Sequence, residues 1–495
     1  MFLSKSQYLR GLQCHKSLWL YKNRPELREK PDTQTESLFE TGYQVGDLAK
    51  GLFPCGVEVM FDPDDFNGMI EKTKALIANG TEVIYEAAFS ENGIFAMADI
   101  LVKNGDAWDM YEVKASTKVK GYQVEDAAIQ WYALDSAIKL NRAYIVHINN
   151  QYVRQGTLDI DALFTIADIT EEVQVKQDAI EHNLAEMKQI LEGEMPDIDI
   201  GGHCDDPFGC DFKAHCWKHI PNPSVFNLYW MGWAKKFEMY YKGMLSYADI
   251  PDDFSLNATQ KLQVQTAKTL EPHIDKEVIK AFLGTIKFPI NFFDFETFQN
   301  AIPRFDDQRP YQQIPFQYSL HIVYEDGTVE HKEFLGDENN DPRPALIEQM
   351  LEDITDEGSI VAYNQSFEMS RMKELAQFNE DRKEELLALN ERFVDLIVPF
   401  RGRGYYHPDF NGSFSIKSVL PALFPNDPEL DYKKLGSVQN GGDAMDTFAN
   451  LHLLKDKSKR DEIRKDLLAY CRLDTLAMVR IWEQLNMLVD GSVDK

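Results

Sequence analysis

In residues 291–298, N-F-F-D-F-E-T-F, the two acidic positions fall two apart. Successive side chains of a β-strand take opposite faces. Asp294 and Glu296 therefore project together, while Phe293 and Phe295 pack the other side. Further strand-like runs lie at 317–324, 329–334, 358–363 and 393–396, with a helix at 344–351. Near the C-terminal end the period changes. Leu467, Tyr470, Asp474, Met478, Ile481 and Leu485 recur at helical spacing and form one face of a helix over 461–488. Asp474 is the exception on that apolar stripe, and Tyr470 sits one turn before it. The N-terminal half has the same mixture. Helices are predicted at 3–22 and 41–53, and strands at 83–89, 94–102 and 107–115, the last two joined through Asn104-Gly105. A helix at 122–140 puts Asp126 and Gln130 on one face. Two helices are expected over 256–282, the first capped by Asn257. The fold class is α/β.

Two carboxylates on an apolar strand are costly to bury as bare charges. A divalent cation between them is one remedy, used by two-metal nucleases and phosphatases; the alternative is an edge strand with one wet face. In the N-terminal half, Asp99 on one strand faces Glu112-Val113-Lys114 on the next. That set offers two metal-binding carboxylates and a lysine to position water or offset phosphate charge. Between 222 and 286, Trp230, Trp233, Tyr240 and Tyr241 lie among Lys235, Lys236 and Lys242. Such aromatics either stack on bases of single-stranded nucleic acid or pack a helical connector.

Length and charge then bound the reading. A chain of 495 residues exceeds one core and suggests several domains. Proline-rich punctuation near 221–223 and 287–289 divides it into 1–220, a helical connector at 221–286, and 287–495. A net charge of −29 argues against broad adhesion to nucleic acid, though not against a local basic channel. No segment is apolar enough to span a bilayer and no signal peptide is visible, so a cytoplasmic protein without a membrane partner is expected. In a reducing compartment the six cysteines are ligands or core residues rather than disulfides.

The ordered set Glu86, Asp99, Glu112, Lys114 and Gln130 resembles the PD-(D/E)xK nucleases, in particular their RecB-like branch. Cys14 at one end and Cys204, Cys210 and Cys216 at the other resemble that branch's iron–sulfur subgroup. The resemblance implies a [4Fe–4S] cluster stapling the domain ends; zinc is the alternative for four cysteines. Many relatives carry a metal-binding histidine in the early helix where this chain has Gly46. Glu86 would then complete that metal shell.

In the C-terminal half, strand D-x-E, a strand end leading to Glu368, and helical Y-x-x-x-D resemble the DEDD 3′–5′ exonucleases of the RNase H-like superfamily. The resemblance assigns Asp294, Glu296, Glu368 and Asp474 to Mg²⁺ or Mn²⁺, Tyr470 to orienting water, and Asp395 as a reserve ligand. The whole chain is similar to an uncharacterised bacterial family joining both modules, with Y-N-x-S-F-E at 363–368, G-S-x-S-I-K at 412–417 and Y-C-x-x-D-T at 470–475. The two module resemblances together imply a metal-dependent nuclease, an exonuclease in its C-terminal domain; the family itself supplies no substrate, and single-stranded DNA is the expectation with RNA as a second possibility. Its N-terminal domain would cut or grip DNA. The rival readings are a non-catalytic nucleic-acid-binding or assembly protein built from decayed nuclease folds, and an iron–sulfur redox sensor.

Overall fold

The structure is a computed structural model that describes residues 3–91 and 93–491. The chain is mixed α/β and divides into two compact units. Unit 1 comprises 1–219 and 300–312; unit 2 comprises 220–299 and 313–495. Among the described residues no helix is long and apolar enough to cross a membrane.

Unit 1 is built on a seven-stranded sheet. Its strands are β1 (Leu3–Ser4), β2 (Val57–Glu58), β3 (Val83–Glu91), β4 (Ile94–Asn104), β5 (Ala107–Lys114), β6 (Leu140–Ile148) and β7 (Phe164–Asp168). They run in the order β2-β3-β4-β5-β6-β7, with β1 beside β4. The expected helix at 122–140 ends at Asp135, and the chain turns directly into β6. That strand is followed by β7 and the helix Thr170–Glu192. The helix expected at 3–22 is two helices, Lys5–Gln13 and His15–Asn23, because Cys14 between them is fully extended. Ser4 and Gln7 form a reciprocal capping box that fixes where the first begins.

Unit 2 holds a mixed five-stranded sheet. After a short pairing of β8 (His273–Ile274) with β14 (Tyr405–Tyr406), its main strands are β9 (Ile290–Phe298), β10 (Ile314–Val323), β11 (Val329–Leu335), β12 (Ile360–Ala362) and β13 (Phe393–Asp395). Their order is β11-β10-β9-β12-β13, antiparallel on one side of β9 and parallel on the other. The alternation of β9 sorts its side chains as the pattern predicts. Phe293 and Phe295 enter one core with Leu320, Met350 and Met372. Phe292 joins the opposite core with Leu473, Met478 and Ile481 of the final helix, Lys457–Asp490.

The segment 221–286 is part of unit 2 rather than a separate connector. Ile279 and Phe282 are buried in the same core as the final helix, and Val225, Leu228, Met231 and Met239 form a smaller core of their own. Asn257 caps the helix Ala258–Thr269, as its sequence suggests.

Candidate functional site

In unit 2, β9 delivers Asp294 and Glu296 to the face covered by the final helix. Ser319 lies opposite Asp294 in β10, and its hydroxyl meets the Thr475 hydroxyl at 2.7 Å. Gln317, opposite Glu296, donates to the Leu467 carbonyl at 2.8 Å. These two bonds fix the helix in register, so Tyr470 and Asp474 stand over the strand. A third segment arrives beyond β12. Asn364 adopts a left-handed conformation, φ 69°, and its amide donates to Asp395 Oδ1 at 2.8 Å. The turn leads straight into the helix Ser366–Phe378, which carries Glu368 in its first turn.

Asp294, Glu296, Glu368, Tyr470 and Asp474 consequently line one cavity of about 360 Å³. Asp395 is not among its lining residues. Its carboxylate is engaged by the Asn364 and Ile397 amides, and so shapes the turn that presents Glu368.

Four carboxylates share this cavity with one lysine, Lys417. Burial, then Asp474, Glu296 and Glu368, push Asp294 well above the usual carboxylate range. Burial and Asp474 do the same to Glu296, against the pull of Lys417. Burial lifts Glu368 to about 8 and Asp474 to about 6. Glu368 Oε2 is buried with no hydrogen-bond partner among the described residues. Tyr432 donates to Asp474, Tyr470 lines the same cavity one turn away, and burial with Asp474 raises both phenols, which stay neutral. Like charges this close cannot all ionise unaided. Divalent cations are what such a set accommodates.

Lys417, Tyr432 and Cys471 are site residues that sequence reasoning missed. Lys417 ends the G-S-x-S-I-K motif, a signal that could have found it. Tyr432 opens a single 3-10 turn, Tyr432–Lys434, with no local signal. Cys471, expected as an ordinary core cysteine, has a ligating atom within 4.8 Å of those of Asp294 and Glu296.

Unit 1 gathers a second cluster. Glu112 on β5 accepts from Lys114 at 2.6 Å and Lys5 at 2.9 Å through Oε1, and from Gln130 at 2.7 Å through Oε2. Lys114 also donates to Asp126 at 2.6 Å. Asp99 accepts the Val113 amide at 2.7 Å. Burial and Asp99 push Glu112 up, but Lys114 and Lys5 outweigh them and hold it below the usual range. Asp99 and Glu86 are raised, chiefly by burial. Glu86 sits at φ 55°, a conformation rare outside glycine, where the pairing of β3 with β4 skips a position. The position of Gly46 is open: a Cβ there would meet nothing within 4 Å. Lys5 was not singled out from the sequence, because nothing local ties it to Glu112, 107 positions away.

Four of the five cysteines of unit 1 also meet. Cys14, Cys204, Cys210 and Cys216 line one small cavity of about 20 Å³ with Lys16, His203 and Lys213. Burial pushes the Cys14 and Cys216 thiols up, and the neighbouring cysteines add to it. Among the described residues no three of these sulfurs lie within 4.8 Å of one another. Tetrahedral zinc, with bonds of about 2.3 Å, spaces its thiolates about 3.8 Å apart. Four cysteines around one cavity are a donor set that either zinc or an iron–sulfur cluster could take.

A family described as "Domain of unknown function (DUF2779)" matches residues 291–415, which include Asp294, Glu296, Glu368 and Asp395. An uncharacterized protein of Ureaplasma parvum, UU173, is 29% identical over 222 residues, covering 40% of this chain and 31% of that protein. An uncharacterized Mycoplasma pneumoniae protein, the MG366 homolog, is 29% identical over 208 residues, 38% of this chain and 31% of its own. The Mycoplasma genitalium protein MG366 is 26% identical over 209 residues, with the same coverage. The chain thus spans about a third of the length of the curated relatives it matches.

Proposed function

We propose that the protein is a metal-dependent nuclease whose unit 2 hydrolyses phosphodiester bonds from the 3′ end of single-stranded DNA. The observation that carries this reading is the convergence of Asp294, Glu296, Glu368 and Asp474, from three separate segments, on one open cavity. Mg²⁺ or Mn²⁺ bound there would stabilise the charge developing on the transferred phosphate and activate the attacking water. The four carboxylates would hold the cations. Tyr470, kept neutral by burial and by Asp474 nearby, would orient the attacking water rather than deprotonate it. Lys417, over the rings of Tyr432 and Tyr470 at 5.5 and 5.3 Å, offsets part of the phosphate charge. The mixed sheet and helix that present these residues support an RNase H-like exonuclease module.

For unit 1 the proposal is a PD-(D/E)xK-like module that grips nucleic acid rather than cuts it. Lys5 and Lys114 already balance Glu112 and Asp126, and Gly46 offers no ligand. A [4Fe–4S] cluster on Cys14, Cys204, Cys210 and Cys216 would tie its two ends together.

Digestion of end-labelled DNA and RNA with Mg²⁺ or Mn²⁺ tests the assignment. Asp294→Ala should abolish degradation and Glu112→Ala should leave turnover standing. The reverse pattern would move the chemistry to unit 1.

A further inference from the structure

Beside the acidic cavity lies a larger one, of about 630 Å³. The two share Tyr363, Asn364 and Ile416, so they form one continuous depression in unit 2. Their linings differ in charge. The chain has 81 acidic residues among 495, yet none of the residues lining the larger cavity is acidic, and Lys236 and Arg401 are among them.

Its aromatic wall is held open. Trp230 is 84% exposed, the most exposed large apolar side chain among the described residues, and its backbone takes φ 50°. A bulky residue rarely adopts that conformation without surrounding constraint. The constraint is visible next door. Tyr229 packs edge-on against Phe414 with centroids 4.8 Å apart, and its amide donates to Gln263 at 3.0 Å. Gly412, φ 77°, brings the opposite wall so close that a Cβ would lie 1.9 Å from the Asn227 carbonyl oxygen. The segments carrying Trp230 and Ser413 are thereby locked together, and Trp230 is left facing solvent at the rim.

Resting on the nuclease reading above, we infer that this groove is the entry path for a single-stranded polynucleotide, with Trp230 as a stacking platform for a base and Arg401 and Lys236 beside the backbone phosphates. An exposed aromatic in a groove free of carboxylates suits bases and phosphates together, and stacking tolerates any sequence because every base has a π-face. A duplex would keep its bases stacked on each other and could not use Trp230 in this way. DNA and RNA strands offer the same chemistry to such a groove.

The test is fluorescence anisotropy of labelled oligo(dT) and oligo(U) with the full chain in EDTA, so that binding is read without turnover. Trp230→Ala should weaken binding roughly tenfold, from the loss of one stacked base. Trp230→Phe should restore most of it. Loss in one arm only names the sugar that the groove accepts. Wild-type affinity in Trp230→Ala, for both strands, overturns the groove while leaving the nuclease reading intact. No binding of either strand by the wild type, together with no degradation of either in the Mg²⁺ or Mn²⁺ digestion, overturns both.

Discussion

Glu368 buries one carboxylate oxygen that meets no hydrogen-bond donor among the described residues, and burial pushes its carboxyl up to about 8. A bound cation would satisfy that oxygen. Glu368→Gln keeps the shape and removes the charge. In EDTA at alkaline pH the variant should melt a few degrees above wild type, while cleavage should fall at least about 100-fold. Calorimetry and the digestion assay read the two effects. The same burial sets the sign of the pH dependence. Glu368, raised to about 8, and Asp474, raised to about 6, hold protons in the native state that an unfolded chain releases near pH 4. Over that window the native state binds more protons, so stability falls as pH rises from about 4 to about 8. Saturating Mg²⁺ or Mn²⁺ should flatten the fall. Thermal melts in EDTA that stay level across this range would contradict the electrostatic account of the cavity.

At the scale of elements, residues 193–219 contain only the short turns Gly202–Cys204 and Lys213–Cys216 as regular structure. What holds this stretch is specific. Gln13 donates to the His203 carbonyl at 2.8 Å, Lys16 to the Ile198 carbonyl at 2.9 Å, and Arg10 pairs with Asp211 at 2.6 Å. The proposed cluster on the four cysteines would add a further tie. Cys204→Ser should cut iron content to near zero and let trypsin cleave within 193–219, as elemental analysis and limited proteolysis would report. Local pattern made β9, the hairpin of β4 and β5, and the final helix legible, because period and turn chemistry are written into each. It missed β6 and β7, whose pairing depends on strands far along the chain. The site was legible where a motif sat on a regular element, as with Asp294, Glu296 and Asp474. Lys5 and Tyr432 were not, because only tertiary packing brings them to carboxylates. Asp395, offered as a reserve ligand, is instead tied up by two backbone amides.

For the whole molecule, the chain leaves unit 2 after Gln299, adds 300–312 to unit 1, and returns at Gln313. There Ala301, Ile302 and Tyr311 pack with Tyr85, Ile100 and Val146. Unit 2 also needs the residues before 287, since Ile279 and Phe282 fill its core. A fragment of 287–495 should therefore lack a cooperative melt, whereas 220–495 should melt cooperatively; scanning calorimetry distinguishes them. With a net charge of −29, the proposed nucleic-acid binding would be local and steeply salt-dependent rather than general. The central claim is that four converging carboxylates make unit 2 a nuclease. Its most direct test is 5′-labelled single-stranded DNA incubated with the full chain and Mn²⁺, beside Asp474→Asn. A ladder shortening one nucleotide at a time from the 3′ end, absent in the variant, is the result predicted. Undegraded substrate with wild-type protein, or the same ladder with Asp474→Asn, would contradict it.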